Sequence, residues 1–238
     1  MTEKSFIDRS IRDNLSYIQE QIASACAHVS RPTQDVKLLA VTKTVSVDRI
    51  NAAIRAGVDR IGENRVQEFL SKREGLDLDT TKVHLIGHLQ TNKVRQIVGK
   101  VDMIQSVDSL RLATAIAERS SAMELTTPIL VEVNIGGEEA KSGVAPDELE
   151  SLLEQIAPLR GIHVCGLMTV PPILTTEYEK RKIFSKMYQL FVDISDKKID
   201  NIDMQELSMG MSGDYREAIM EGSTMVRIGS ALFGERQY

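Results

Sequence analysis

From Lys37 onward, short apolar runs alternate with segments of helical periodicity, and that alternation constrains the fold more than any other feature of the chain. The runs fall at 37–42, 58–62, 83–87, 101–105, 128–135, 162–168, 204–208 and 225–228. Runs that are continuously apolar, rather than apolar at every second residue, read as strands buried on both faces of a parallel sheet. Between them the spacing predicts helices near 46–56, 64–74, 91–99, 109–123, 146–157, 176–195 and 214–221, with a short one after 230. The helix at 176–195 is the clearest, with Ile183, Phe184, Met187, Leu190, Phe191 and Ile194 along one face. Eight strands alternating with helices over roughly 200 residues close most naturally into an α/β fold of the (β/α)8 TIM-barrel type. An open doubly wound sheet is the alternative, but no Gly-x-Gly-x-x-Gly turn follows a first strand.

Ahead of the barrel, Ile7, Ile11, Leu15, Ile18, Ile22 and Ala25 recur at three- and four-residue steps. They trace one stripe of an extra N-terminal helix that ends near Arg31-Pro32-Thr33. No linker, internal repeat or low-complexity stretch interrupts the chain, so residues 1–238 are expected to form one domain.

Composition narrows the function classes. The net charge of −5, with acidic and basic residues interspersed, provides no nucleic-acid footprint and no attraction to anionic membranes. The first residues lack the basic-then-apolar layout of a secretory signal, and no apolar run is long enough to span a bilayer. Cys26 and Cys165 lie far apart and have no metal-ligand spacing. The cytoplasm is the expected compartment. His84 and His88 are four apart, which on a strand keeps both on one face. No third ligand completes a set with them, so structural roles and no metal are expected.

Barrel enzymes carry their chemistry at the carboxyl ends of the strands. Read in order, those ends are Lys43, Asn64, Gly87-His88, Ser106, Asn134, Met168-Thr169, Ser208-Met209-Gly210 and Arg227-Ile228-Gly229-Ser230. Lys43 closes the first apolar run just before a helix should begin. The plain reading of such a lysine is a solvated side chain. At a barrel rim, partial burial lowers the pKa of an amine and makes it a nucleophile.

The last two strand ends resemble a phosphate site. Leu207-Ser208-Met209-Gly210-Met211-Ser212-Gly213-Asp214 reads as a glycine-interrupted loop feeding a helix, with Asp214 and Glu217 spaced as a capping box. Arg227-Ile228-Gly229-Ser230 opens a further short helix whose free N–H groups would face the mouth and attract an anion. A reactive lysine opposite a phosphate site points to a phosphorylated aldehyde. Pyridoxal 5′-phosphate (PLP) is one candidate, and a sugar phosphate in a Schiff-base aldolase is another. Arg227 favours the first, because a guanidinium has a pyridine nitrogen to meet only if a ring is present. Among neighbouring groups, Glu63 reads as a partner for the helix after it, and Tyr215 as a helix-surface tyrosine. Met168, Met209 and Met211 cluster near the strand ends and would line a ring-shaped pocket.

The motifs Leu39-Ala40-Val41-Thr42-Lys43-Thr44, Ile61-Gly62-Glu63-Asn64-Arg65-Val66-Gln67-Glu68 and His84-Leu85-Ile86-Gly87-His88-Leu89-Gln90-Thr91-Asn92-Lys93 occur in that order. Lys141-Ser142-Gly143, Gly166-Leu167-Met168, Leu207 to Ser212 and Val226 to Gly234 follow them. In this set the chain resembles the pyridoxal 5′-phosphate homeostasis protein family, whose barrel is that of the alanine racemase N-terminal domain. The resemblance implies a fold-type III PLP-binding barrel. Lys43 would form the Schiff base and Arg227 would face the pyridine nitrogen. Phosphate contacts are expected from Ser208, Gly229 and Ser230, with Asn64 and Met209 near the cofactor. Lys141, after the fifth strand, would approach the cofactor as part of a lid. Thr42 stands where serine is common and Arg65 where tyrosine is common, and neither departure touches the Schiff-base chemistry.

A two-base racemase needs a second acid–base group opposite the lysine, which alanine racemases take from a further β-domain. Here the barrel is expected to consume the sequence up to Tyr238. The expectation is therefore a monomeric, non-catalytic carrier that buffers PLP or delivers it to PLP-dependent apoenzymes. A weakly active amino-acid racemase and a Schiff-base aldolase are the alternatives.

Overall fold

The eight expected strands close on themselves. β1 (Lys37–Val41), β2 (Arg60–Glu63), β3 (Lys82–Leu85), β4 (Met103–Val107), β5 (Thr127–Glu132), β6 (Ile162–Met168), β7 (Ile202–Met211) and β8 (Met225–Ile228) pair in sequence order, and β8 returns to β1. Every pair is parallel, including the closing one, where Lys37 lies opposite Met225 and Ala40 opposite Ile228. The computed structural model describes residues 3–138 and 140–234; Tyr238 lies outside them. The (β/α)8 expectation therefore holds.

The outer layer is α1 (Glu3–His28), α2 (Val47–Arg55), α3 (Val66–Lys72), α4 (Val94–Ile97), α5 (Leu110–Ser121), α6 (Leu149–Ile156), α7 (Glu177–Lys197), α8 (Tyr215–Met220) and α9 (Ser230–Phe233). The helix after β8 is a single turn, too short to cover the outer face of the β8–β1 seam. The extra N-terminal helix does so. α1 packs against α2, α8 and α9, burying Ile11, Leu15, Ile18, Ile22 and Ala25. Asn14 Nδ2 fixes its register by donating to the Leu232 carbonyl at 2.9 Å. The stripe read in the sequence thus faces the barrel's weakest flank, and its burial supplies the apolar area that α9 lacks.

Two hydrophobic layers result. Between sheet and helices lies one continuous core that includes Ile50, Phe69, Ile104, Ile116, Leu153, Phe184 and Val226. Inside the barrel, Leu39, Val41 and Met225 pack together, and Met103, Leu130 and Met168 form a second cluster. Strand alternation sends the intervening residues of each strand outward. Gly166 permits the closest approach of the β6 and β7 backbones: its φ is +147°, and a Cβ there would lie 1.9 Å from the Glu206 carbonyl oxygen.

Four local expectations are corrected. Residues 91–99 hold only a 3-10 turn followed by the single turn of α4. The segment 207–214 is mostly strand, because β7 runs on through Gly210 (φ +92°) to Met211 with a register shift against β8. Asp214 forms no capping box; its Oδ1 accepts the Met211 N–H at 2.6 Å and shapes the turn instead. Tyr215 is buried beneath the helical layer rather than on its surface. No helix among the described residues is long and apolar enough to cross a membrane.

Candidate functional site

β1 ends at Val41, and Thr42-Lys43-Thr44 carries the chain over the barrel rim into α2. The β1–β8 register brings this turn beside Gly229 and Ser230, at the start of α9. Between the two segments lies a cleft of about 290 Å³ whose walls include Lys43, Ser46, Arg49, Gly229, Ser230 and Phe233. Lys43 is half-buried. Among the cleft's described lining residues there are two cations and no carboxylate. Arg49, which sequence reasoning missed, donates through Nη2 to the Phe233 carbonyl and so ties α2 to α9. Its signal was available only as a basic residue one turn into a helix that follows a candidate lysine.

The expected free N–H groups of α9 are not all free. The Ser212 hydroxyl accepts from the Gly229 N–H at 3.2 Å and from the Ala231 N–H at 3.3 Å. A hydroxyl that accepts two bonds still has its own O–H to donate. Ser212 therefore extends the anion-binding character of this corner and belongs with the site. Sequence reasoning placed it inside the loop without a role.

Below the cleft, Arg227 is buried. Its Nη1 donates to the Ser208 carbonyl at 2.7 Å and to the Ser208 hydroxyl at 2.8 Å, and its Nη2 to the Thr169 carbonyl at 2.7 Å. These bonds engage three of the five N–H groups of a guanidinium. Burial pushes its pKa down to about 10, partly offset by Glu132 and Asp214, so it stays charged at neutral pH. Behind it the interior is polar: Ser208 Oγ donates to Gln105 Oε1 at 2.7 Å, and Gln105 Nε2 meets His84 Nδ1 at 2.8 Å. Burial, reinforced by Arg60, Lys82 and Lys37, pushes the His84 pKa down to about 3, so this imidazole is a neutral core group. His88 lies beyond the end of β3, exposed, with Nδ1 3.8 Å from Asp108. The two histidines therefore do not share a strand face. No group of three or more His, Cys, Asp or Glu among the described residues is placed to hold a metal ion.

The remaining expected residues are placed unevenly. Asn64 follows β2 directly, and its buried amide oxygen lacks a hydrogen-bond partner among the described residues. Gly87 is what lets β3 come so near: a Cβ there would lie 2.3 Å from the Asn64 carbonyl. Ser208 is fully buried, with its hydroxyl committed to Arg227 and Gln105; the structure makes it a support of Arg227 where a phosphate contact was expected. The Met209 side chain is fully buried in the layer between sheet and helices, so it faces away from the mouth. Met168 fills the barrel interior. Lys141 Nζ donates to the Pro171 carbonyl at 2.9 Å and pairs with Glu138 at 2.6 Å. It pins the β5–α6 loop to the β6–α7 loop and is not part of the cleft wall. Glu132, at the carboxyl end of β5, is buried, and its pKa is pushed up to about 7 by burial and Asp108, against the pull of Arg227.

An aldehyde-bearing aromatic phosphate fits this set. The cleft lining offers an amine and, at Gly229 and Ser230, a helix start for the anion. Outside that lining, Ser212 bonds the Gly229 N–H, Asn64 follows β2 with an unpartnered acceptor among the described residues, and β8 carries a buried cation. The volume lies at the small end of ligand sites, as suits a compact ligand.

Residues 14–237 match the family model described as alanine racemase, N-terminal domain. The chain is 44% identical over 227 residues to a pyridoxal phosphate homeostasis protein of Aquifex aeolicus, covering 95% of this chain and 98% of that one. Its structure is similar to PipY of Synechococcus elongatus PCC7942 solved with PLP bound, with a TM-score of 0.83 and 32% identity over 94% of this chain and 100% of that one. It also shares the fold of a Clostridium difficile alanine racemase, at a TM-score of 0.70 and 18% identity, over 95% of this chain and 58% of the racemase.

Proposed function

The chain belongs to the pyridoxal phosphate homeostasis protein family, and on that premise we propose that it binds PLP at the barrel mouth and serves in PLP homeostasis as a carrier. The observation that carries this reading is the single cleft shared by Lys43 and by Gly229 and Ser230. An amine and a phosphate-type corner share that cleft, whose volume of about 290 Å³ suits one small ligand.

When bound, PLP supplies an aldehyde that condenses reversibly with a primary amine, releasing water. Lys43 is the amine of the cleft, and a primary amine is the nucleophile that such a condensation needs. Ser212 and Ser230, with the Ser230 N–H that neither Ser212 bond engages, would hold the phosphate. Arg227, held by Ser208 and Thr169, presents a fixed positive charge toward the ring. A cation there does not supply the proton that would make the ring nitrogen a strong electron sink, which supports holding over turnover.

A racemase would need a second acid–base side chain on the opposite face. Apart from Lys43, the described lining of the cleft contains no carboxylate, histidine, tyrosine or cysteine, which favours the carrier over the racemase. A non-catalytic, monomeric, cytoplasmic protein that passes PLP to apoenzymes is the form of the proposal.

The test is an absorbance spectrum of the protein with added PLP, then borohydride reduction and peptide mapping. Reduction is expected to fix the ligand on Lys43, and Lys43→Ala to lose that modification while melting at nearly the same temperature. A protein that stays unmodified with PLP present would overturn the reading. An unchanged adduct in Lys43→Ala would move the attachment point to another lysine.

A further inference from the structure

Thr44, the residue after the reactive lysine, has a φ of +62°. A β-branched residue in the left-handed region is strained, and such conformations persist only where the surroundings force them. The surroundings here are specific. Glu68 Oε1, on α3, accepts the Thr44 N–H at 2.5 Å. Lys72 Nζ, one turn further along α3, binds Glu68 Oε1 at 2.6 Å and donates to the Thr42 carbonyl at 3.0 Å. It also approaches the fully buried Glu63 at 3.4 Å. Thr42 completes the frame: its hydroxyl donates to Glu63 Oε1 at 2.7 Å and to the Gly62 carbonyl at 3.2 Å. The residues before and after Lys43 are thus both gripped by α3 and the end of β2, and the lysine sits at the apex between them.

We propose that Glu68 and Lys72 form a clamp that holds Thr44 in its left-handed conformation and thereby aims the Lys43 amine into the cleft. Both are positioning residues; neither lines the cleft. The inference rests on Lys43 being the PLP-attachment residue. The physical argument is that an N–H to carboxylate bond is charge-assisted and directional. Lys72 keeps that carboxylate ionised and in place: burial pushes the Glu68 pKa up, but the hydrogen bonds from Lys72 and Thr44 outweigh it and the net shift is downward. Without the clamp the turn is free to relax toward an ordinary φ, which swings the following residues and the lysine away from Gly229 and Ser230.

The test is a rescue experiment on the full chain. The rate of borohydride-fixed adduct formation on Lys43 is measured with PLP, and thermal melting is measured on the ligand-free protein. Glu68→Ala is expected to slow adduct formation roughly tenfold or more. Adding Thr44→Gly to it should restore most of the rate, because glycine adopts the left-handed region without strain. Glu68→Gln, which keeps an acceptor oxygen but loses the charge and the ion pair to Lys72, should fall between the parent and Glu68→Ala. Thr44→Gly alone should melt no lower than the parent and react at a similar rate. Should Glu68→Ala fail to fold, Lys72→Met takes its place with the same expected loss and rescue. A Glu68→Ala protein that reacts like the parent, or a loss that Thr44→Gly leaves uncorrected, overturns the clamp. A parent protein with no adduct on Lys43 instead overturns the function proposed above.

Discussion

Arg227 and Ser208 meet across the β7–β8 seam, where a single guanidinium nitrogen bonds both the carbonyl (2.7 Å) and the hydroxyl (2.8 Å) of the serine. The buried cation is therefore held by its neighbour strand. A third bond runs from its other terminal nitrogen to Thr169 on the far side of β7. The arginine is fixed before any ligand arrives, the condition for a group that must present a charge without reorganising.

Ser208→Ala removes one acceptor from Arg227 and the donor to Gln105 in a buried setting. The expected loss is about 1–3 kcal/mol, read as a lower thermal midpoint of the ligand-free protein. An unchanged midpoint would mean that the hydroxyl contributes nothing to holding the cation.

Glu132 should make stability pH-dependent. Its pKa stands at about 7 in place of the ordinary 4.5, so between those values the folded protein binds more protons than the unfolded chain. Stability then falls as pH rises through that window and is lowest above it. Glu132→Gln removes the cost of ionising the buried group. The variant should match the parent near pH 4.5 and exceed it at pH 8, by an amount on the order of 3 kcal/mol. An equal difference at both pH values would refute the assignment.

Arg49→Ala should weaken PLP more than pyridoxal, which lacks the phosphate, because the cleft's second cation acts on the anion. Ser212→Ala should show the same pattern through its hydroxyl and the two N–H groups it organises. Roughly tenfold for the phosphorylated ligand is expected from each, the worth of one charge-assisted bond. Titration with both ligands distinguishes this from a general loss of the cleft, in which pyridoxal binding would fall equally.

Gly166→Ala should not fold stably. Its Cβ would collide with the Glu206 carbonyl at 1.9 Å, and the φ of +147° is itself unfavourable for any side chain. Circular dichroism of the purified variant is sufficient, and a normal melting curve would contradict the packing of β6 on β7.

Most of the fold was legible because its signal is local. Continuous apolar runs and a stripe at three- and four-residue steps are written residue by residue, and both survive in the strands and in α1. Where the reading failed, short-range signals were outweighed. Gly210 reads as a loop-former, yet the sheet carries β7 through it and uses its positive φ for a register shift. Residues 91–99 have helical spacing, yet they form only a 3-10 turn and one helical turn, because the chain turns extended at Val98 and left-handed at Gly99 (φ +78°).

The candidate site divides in the same way. Lys43, Gly229, Ser230 and Arg227 could be named from the sequence because strand ends converge at a barrel mouth, so order along the chain predicts neighbourhood in space. The side-chain surroundings of Met209 and Ser208 were not legible, because one residue of register turns a side chain from mouth to shell, and because only a fold can show which groups a hydroxyl already bonds. Arg49, Ser212 and the Glu68–Lys72 grip on Thr44 join positions far apart in sequence through hydrogen bonds that no periodicity encodes. The sequence by itself determined the barrel, its extra helix and the lysine at its rim, since these follow from local patterning and strand order. Only the tertiary structure decided which polar groups are spent on one another and which face the cleft, because that depends on distances of a few tenths of an ångström between residues that the chain brings together only on closing.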